Sequence, residues 1–176
     1  VHKLLESDPD VELIWRAYEL RPEPVPMIDP NSDYLRRAWS DSVAPLAERL
    51  GVTMKFPPVK PRTRLAHEAA DWARAQGRFE DCHDEIFRAF FERGEDIGDL
   101  EVLIALAFKL GLDSDSLRQA LVSHEFTASV LEDEREAARL RVSGVPAFVA
   151  NRKAALTGVQ PVENVRKLIE NVRSSS

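Results

Sequence analysis

Thiol chemistry is the first possibility the residue types raise, and the 176-residue chain offers one thiol, Cys82. A dithiol–disulfide cycle within one chain needs two cysteines, and a multi-cysteine zinc site needs more. Cys82 shares an apolar stripe with Phe79, Ile86 and Phe90 at helical spacing, so it reads as a small buried hydrophobe. His83 comes directly after it, but adjacent helix positions point about 100° apart, so the two are no ready-made dyad. His67, near a helix start, reads first as a packed or hydrogen-bonded residue and second as lining for a substrate groove. His2 and His124 read as surface residues. No two histidines share a metal-ligand spacing with a carboxylate, and no metal is expected. Lys55, Lys60, Arg62 and Arg64 form a basic run that suits a solvated loop, or the steering of an acidic substrate. Trp15, Trp39 and Trp72 read as core or subdomain-packing residues, and the stripe Phe87, Phe90 and Phe91 reads first as core of the helical stretch and second as a peptide groove.

The elements that must position these residues can be read from pattern and punctuation. Val11, Leu13, Trp15 and Ala17 alternate with Glu12, Ile14, Arg16 and Tyr18, which predicts a strand. Residues 21–30 carry Pro22, Pro24, Pro26 and Pro30 and read as an extended loop. Helices are expected at 33–50, kinked or divided by Pro45, then from a Thr63 cap to Gly77, and from Phe79 to Gly94. Three more are expected after these: 100–110 capped by Asp99, a short one capped by Asp113, and 124–140, with Glu132–Arg135 and Glu136–Arg139 on its wet face. Residues 145–150 are strand-like with Pro146 at the start, and Asn151-Arg152 reads as a tight hairpin turn with positive φ. Residues 153–157 return, Gly158 breaks the strand, and Pro161 opens a closing helix whose Leu168, Ile169 and Val172 face inward. The order is strand, long helical stretch, strand, hairpin strand, helix, which is an α/β sheet with a helical subdomain inserted.

Bulk properties exclude some functions. The chain carries 24 Lys+Arg against 30 Asp+Glu, a net charge of −6, which argues against general nucleic-acid binding. Its longest apolar stretch, 102–112, is interrupted by Lys109 and is too short for a bilayer, so no membrane partner is expected. The chain opens on Val1 rather than Met, and residues 1–7 read as the tail of a helix. The expectation is that the native N-terminus lies upstream.

Three stretches resemble the DsbA-like thioredoxin-fold family, nearest to its FrnE-like branch. Trp15-Arg16-Ala17-Tyr18-Glu19-Leu20 is similar to that branch's strand-to-loop segment. Thr63-Arg64-Leu65-Ala66-His67 is similar to its helix start, with Arg62 where Asn is usual. Ser143-Gly144-Val145-Pro146-Ala147-Phe148-Val149 resembles its substrate loop, with Ala147 replacing Thr. The resemblance implies an α/β thioredoxin-like fold with a large all-helical insertion, residues 1–30 and 141–176 forming the sheet domain and 31–140 the insertion. The first strand and helix start are expected to be missing from this chain. It also implies a cis peptide before Pro146, a substrate-binding loop at Gly144, Val145 and Pro146, and a groove that Arg64 and His67 could line.

The resemblance further implies a thiol–disulfide oxidoreductase that takes a protein or small-molecule disulfide or thiol, with no resident cofactor and glutathione as a possible substrate or co-substrate. The family's Cys-x-x-Cys pair is absent from these residues, so no catalytic residue is expected in this chain and the pair is expected upstream. Two alternatives stand beside this reading: a glutathione-dependent isomerase or transferase of the kappa-like class, carrying serine in place of the pair, and an inactive peptide-binding relative. The single cysteine and the FrnE-like resemblance favour the cytoplasm. Nothing in the sequence names the oligomeric state.

Overall fold

A computed structural model describes residues 2–174, with side chains from Leu4 onward. The side chain of His2, expected at the surface, lies outside the described set. The chain divides into two compact units, one formed by Val1–Leu20 with Leu131–Ser176 and the other by Arg21–Val130. Both boundaries fall earlier than the sequence suggests, and hydrogen bonds account for it. Arg62 Nη1 donates to the Arg21 carbonyl at 2.8 Å, which draws the proline-rich loop into the helical unit. Asp133 and Glu136 bond to Ala17 and Arg152, which places residues 131–140 in the sheet unit.

The helical unit begins with α2 (Asp33–Ala38), capped by the Ser32 hydroxyl, and α3 (Ala44–Leu50). The turn between them, Trp39–Val43, is a π segment in which the Ala44 N–H reaches back to the Trp39 carbonyl. Pro45 sits in the first turn of α3, where its missing donor costs least. The expected division of this helix is therefore found, displaced to a wide turn just before the proline. Next come α4 (Arg64–Ala75) and α5 (Phe79–Arg88), the latter continued by a second π segment, Ala89–Arg93, that stops at Gly94. Thr63 precedes α4, but its side chain makes no capping bond, contrary to expectation.

Asp99 caps α6 (Leu100–Lys109) through the Glu101 N–H, and Asp113 caps α7 (Ser114–Val122) through the Asp115 and Ser116 N–H groups. The core lies among these four helices. Small residues on α4, Ala66, Ala69, Ala70 and Ala73, let α5, α6 and α7 approach closely, and Leu103, Leu117 and Leu121 fill the centre. Each such leucine contributes roughly 1.5–3 kcal/mol by leaving water. Of the three tryptophans, Trp72 is buried in this core, whereas Trp15 and Trp39 are half-buried.

The sheet unit contains α1 (His2–Ser7), most of α8 (Thr127–Arg139), β1 (Ala147–Ala150), β2 (Ala154–Thr157) and α9 (Val162–Ser174). Helix α8 starts later than expected because His124 adopts a positive φ of 56° that breaks the chain between α7 and α8. The strands pair antiparallel, with Ala147 opposite Thr157 and Ala150 opposite Ala154. Asn151 and Arg152 have φ of 46° and 58°, and the Lys153 N–H bonds to the Ala150 carbonyl, so the tight turn forms as the dipeptide predicts. Two strands alone are marginal in water; α9 covers them, with Leu168 and Val172 buried.

The strand expected over 11–18 is not present. Its period-two alternation survives as burial, with Val11, Leu13, Trp15 and Ala17 turned inward, but no ladder joins it among the described residues. Alternation reports an extended, half-buried chain, whereas a strand also needs a paired neighbour. Here the Ala17 N–H donates to the Asp133 carboxylate at 2.8 Å instead.

Candidate functional site

The loop before β1 owes its position to the hairpin on its C-terminal side. Val149 and Phe148 alternate across the strand, the turn at Asn151-Arg152 sends the chain back, and Gly158, at φ 78°, ends β2. The Gly158 N–H then donates to the Pro146 carbonyl at 2.8 Å and clamps the loop to the end of its own hairpin. The Val145–Pro146 peptide is cis. Val145 is 48% exposed, Pro146 is exposed, and the space around Gly144 is open. Val145 lies outside the ladder, its main-chain N–H and C=O in no backbone bond among the described residues. Among the described residues no third strand pairs with the other edge of β1. An open main chain at a strand edge can take an extended polypeptide by strand addition.

Ion pairs hold the unit behind this loop. Arg173 grips Asp8 with two hydrogen bonds of 3.0 and 3.1 Å, and Arg166 Nη2 donates to Ser7 Oγ at 2.6 Å, which ties α9 to the end of α1. The Arg173 guanidinium holds the Asp8 carboxyl below its usual range by hydrogen bonding, against a smaller opposing effect of burial. Asp133, buried on α8, accepts from Arg16 at 2.9 Å and from the Ala17 N–H, and so pins the extended segment. Sequence reading missed Asp133, because its partners lie more than a hundred positions away and nothing local marks it.

The other residues predicted for the site, Arg64 and His67, lie in the first turn of α4 in the helical unit. Both are half-buried and both are engaged in interactions. They share one helical turn with each other. The basic run around them is partly structural: Arg62 binds the Arg21 carbonyl, and Lys60 is partly buried, which lowers its pKa. A Cβ on Gly98 would meet the Arg62 carbonyl at 2.7 Å, so only glycine lets that loop lie so close.

Cys82 is 5% exposed in the core, its Sγ 3.8 Å from the Ala69 carbonyl. Burial, with Asp81 adding repulsion, pushes its thiol up to about 11. A thiol so placed is a thiolate only to a negligible extent at neutral pH and does not attack disulfides. On the same helix burial lowers the pKa of His83, with Glu80 and Asp84 opposing, and its ring lies against Phe79 and Phe87.

Glu68, fully buried on α4, takes a 2.5 Å hydrogen bond from Thr127 Oγ1 at the start of α8. It is a second buried carboxylate that no sequence signal announced. Among the described residues no three His, Cys, Asp or Glu side chains converge so as to hold a metal ion, and no helix is long and apolar enough to cross a membrane.

Comparison with known proteins fits this arrangement. The DSBA-like thioredoxin domain matches residues 1–170. The uncharacterized protein YwbO of Bacillus subtilis is 38% identical over 120 residues, covering 66% of this chain and 60% of YwbO, so the chain spans less than two thirds of that relative. A crystal structure of a probable DsbA oxidoreductase from Streptomyces coelicolor superposes with a TM-score of 0.82 at 25% identity, over 99% of this chain and 82% of its own.

Proposed function

The chain belongs to the DSBA-like thioredoxin domain family, which is of thiol–disulfide oxidoreductase type, and we propose that it serves a FrnE-like exchange in which Gly144, Val145 and Pro146 receive the substrate strand. The observation that carries this reading is the exposed loop at Val145 and Pro146, whose Val145 main chain joins no backbone bond among the described residues. The burial of Cys82 and its raised pKa support a reading in which it is not the attacking sulfur. The reading therefore assigns the redox pair to a Cys-x-x-Cys outside these 176 residues, at a helix N-terminus where the dipole and free N–H groups favour a thiolate.

In the reaction, the thiolate attacks one sulfur of a substrate disulfide. A new S–S bond joins the two molecules, and the substrate's second sulfur leaves as a thiolate that takes a proton. The pair's other thiol then attacks the mixed disulfide, releasing the substrate as a dithiol and leaving the pair oxidised; the reverse direction oxidises the substrate. Strand addition at Val145 would hold the substrate backbone during both attacks. The same reading allows glutathione as a small thiol substrate or co-substrate.

The test is a disulfide-exchange assay on four proteins: this chain, the chain extended at its N-terminus by a segment bearing Cys-x-x-Cys, and the extended chain with Cys82→Ala or Val145→Glu. The proposal predicts no exchange, exchange, unchanged exchange, and exchange slowed about tenfold with the fold intact, equivalent to about 1.4 kcal/mol. Exchange by the 176-residue chain, loss of exchange in the extended chain with Cys82→Ala, or a folded but inactive extended chain overturns it.

A further inference from the structure

Helix α5 carries an aromatic rail that the core does not absorb. Phe79, His83, Phe87 and Phe91 recur every four residues, and their rings run in sequence at centroid distances of 5.1, 4.7 and 5.8 Å, with Phe90 edge-on to Phe91 at 4.8 Å. Phe79 and Phe90 also pack against the buried core, but Phe87 is 50% exposed. Three- and four-residue spacing makes neighbours on a helix surface. Asp84, three before Phe87, and Glu80, four before Asp84, therefore border the open part of the rail. Both carboxylates are exposed, and among the described residues neither joins an ion pair. Arg88, the nearest cation in sequence, leans instead toward Glu85 at 4.0 Å.

The rail already holds one cation. The Arg74 guanidinium carbon lies 3.8 Å from the Phe79 ring centroid, where the ring's negative face attracts it. At Phe87, between His83 and Phe91, a half-exposed ring is bordered by carboxylates that join no ion pair among the described residues, and no cation lies over it there. A planar guanidinium stacks on such a ring while its N–H groups reach a carboxylate, which an ammonium cannot do equally well.

We propose that the Phe87 face of α5, with Asp84 and Glu80, is a docking surface for an arginine-bearing segment of a partner polypeptide. The surface lies wholly in the helical unit and does not rest on the redox reading. Its recognition would be charge-selective and weakened by salt, as for other exposed pairs.

The experiment uses the 176-residue chain and a fluorescent, cysteine-free peptide alternating arginine and glycine, with glutamate and lysine versions as controls. Affinity is read by anisotropy, and location by the Phe87 and His83 ring-proton shifts. The arginine peptide should bind and move those rings, the lysine peptide should bind more weakly, and the glutamate peptide should not bind. Phe87→Leu and Asp84→Asn should each weaken the arginine peptide about threefold to fivefold, the scale of an exposed cation–π contact. Asp115→Asn, which removes a carboxylate elsewhere on the unit, should leave affinity unchanged. Equal loss in Asp115→Asn, binding of the glutamate peptide, or shifts that bypass Phe87 and His83 would overturn the proposal.

Discussion

In the helical unit the buried cluster is mainly leucines, alanines and isoleucines with Trp72 and Cys82, gathered around four helices, and the carboxylates of Glu68 and Glu85 are buried as well. In the sheet unit Leu4, Ala17, Leu168 and Val172 are the buried hydrophobics among the described residues, and the long-range ties are polar: Arg173 to Asp8, Arg16 to Asp133, Arg152 to Glu136. The first unit has the helix-period apolar pattern that closes a core by itself. The second has two short strands and one covering helix, and it leaves main-chain groups open beside Val145. The difference separates stability from chemistry. The thiol sits in the buried core, whereas the proposed docking loop sits at the surface with its Val145 main chain outside any backbone bond among the described residues.

The sharpest way to break this contrast is in the helical core. Leu117→Ala removes a side chain that is 1% exposed and should cost about 2–5 kcal/mol. Urea unfolding monitored by far-UV circular dichroism would measure it, and a loss under about 1 kcal/mol would mean that the core is not close-packed there. Glu85 comes next. Its buried carboxylate accepts from Lys109 at 2.7 Å and Arg93 at 2.8 Å. Because both cations keep much of their surface in water, Glu85→Gln should cost only about 1–2 kcal/mol.

The same residue sharpens the pH dependence. Burial pushes the Glu85 carboxyl up, but the Lys109 hydrogen bond and the charges of Arg93 and Lys109 outweigh it, and the net pKa is lowered. A carboxyl depressed in the folded state contributes stability that is present above its unfolded pKa and is lost as pH falls through the folded value. Glu85→Gln should therefore flatten the acid limb of the stability profile below about pH 4.5. An unchanged acid limb would remove Glu85 from the explanation.

A smaller effect is expected at the hairpin. Arg152 bears the left-handed backbone cost of about 1 kcal/mol that glycine avoids. That cost alone predicts a gain for Arg152→Gly, but the Arg152 guanidinium also bonds to Glu136, a contact the turn pattern does not announce. The two effects oppose each other, so the substitution should shift Tm by only a degree or two in either direction, about the scale of a few tenths of a kcal/mol. A shift several times larger would show that one of them dominates.

These cases show where the sequence is legible. Asp99 and Asp113 as caps, Gly51, Gly77, Gly94 and Gly111 at helix ends, and the Asn151-Arg152 turn all depend on neighbours within a few residues, and each is readable. The position of Gly144-Val145-Pro146 just ahead of β1 is readable from the strand-like residues that follow it. The features that escape a sequence reading depend on distant partners. The 11–18 stretch alternates without a ladder, and the carboxylates of Glu68 and Asp133 are placed by residues 59 and 116 positions away. The π segments at Trp39–Val43 and Ala89–Arg93 leave no local mark. The phenylalanine stripe expected in the core divides instead: Phe90 packs inward and Phe87 stays half in water.

The contrast between an inert core thiol and an open docking loop can be tested without any redox chemistry, by monitoring the backbone amides of the isotope-labelled chain as an extended disulfide-containing peptide is added. The proposed docking at Val145 predicts that the largest shifts, and slowed hydrogen exchange, fall on Val145 and β1, with Cys82 and its neighbours on α4 and α5 unmoved. Shifts centred on Cys82, with Val145 silent at saturating peptide, would contradict it.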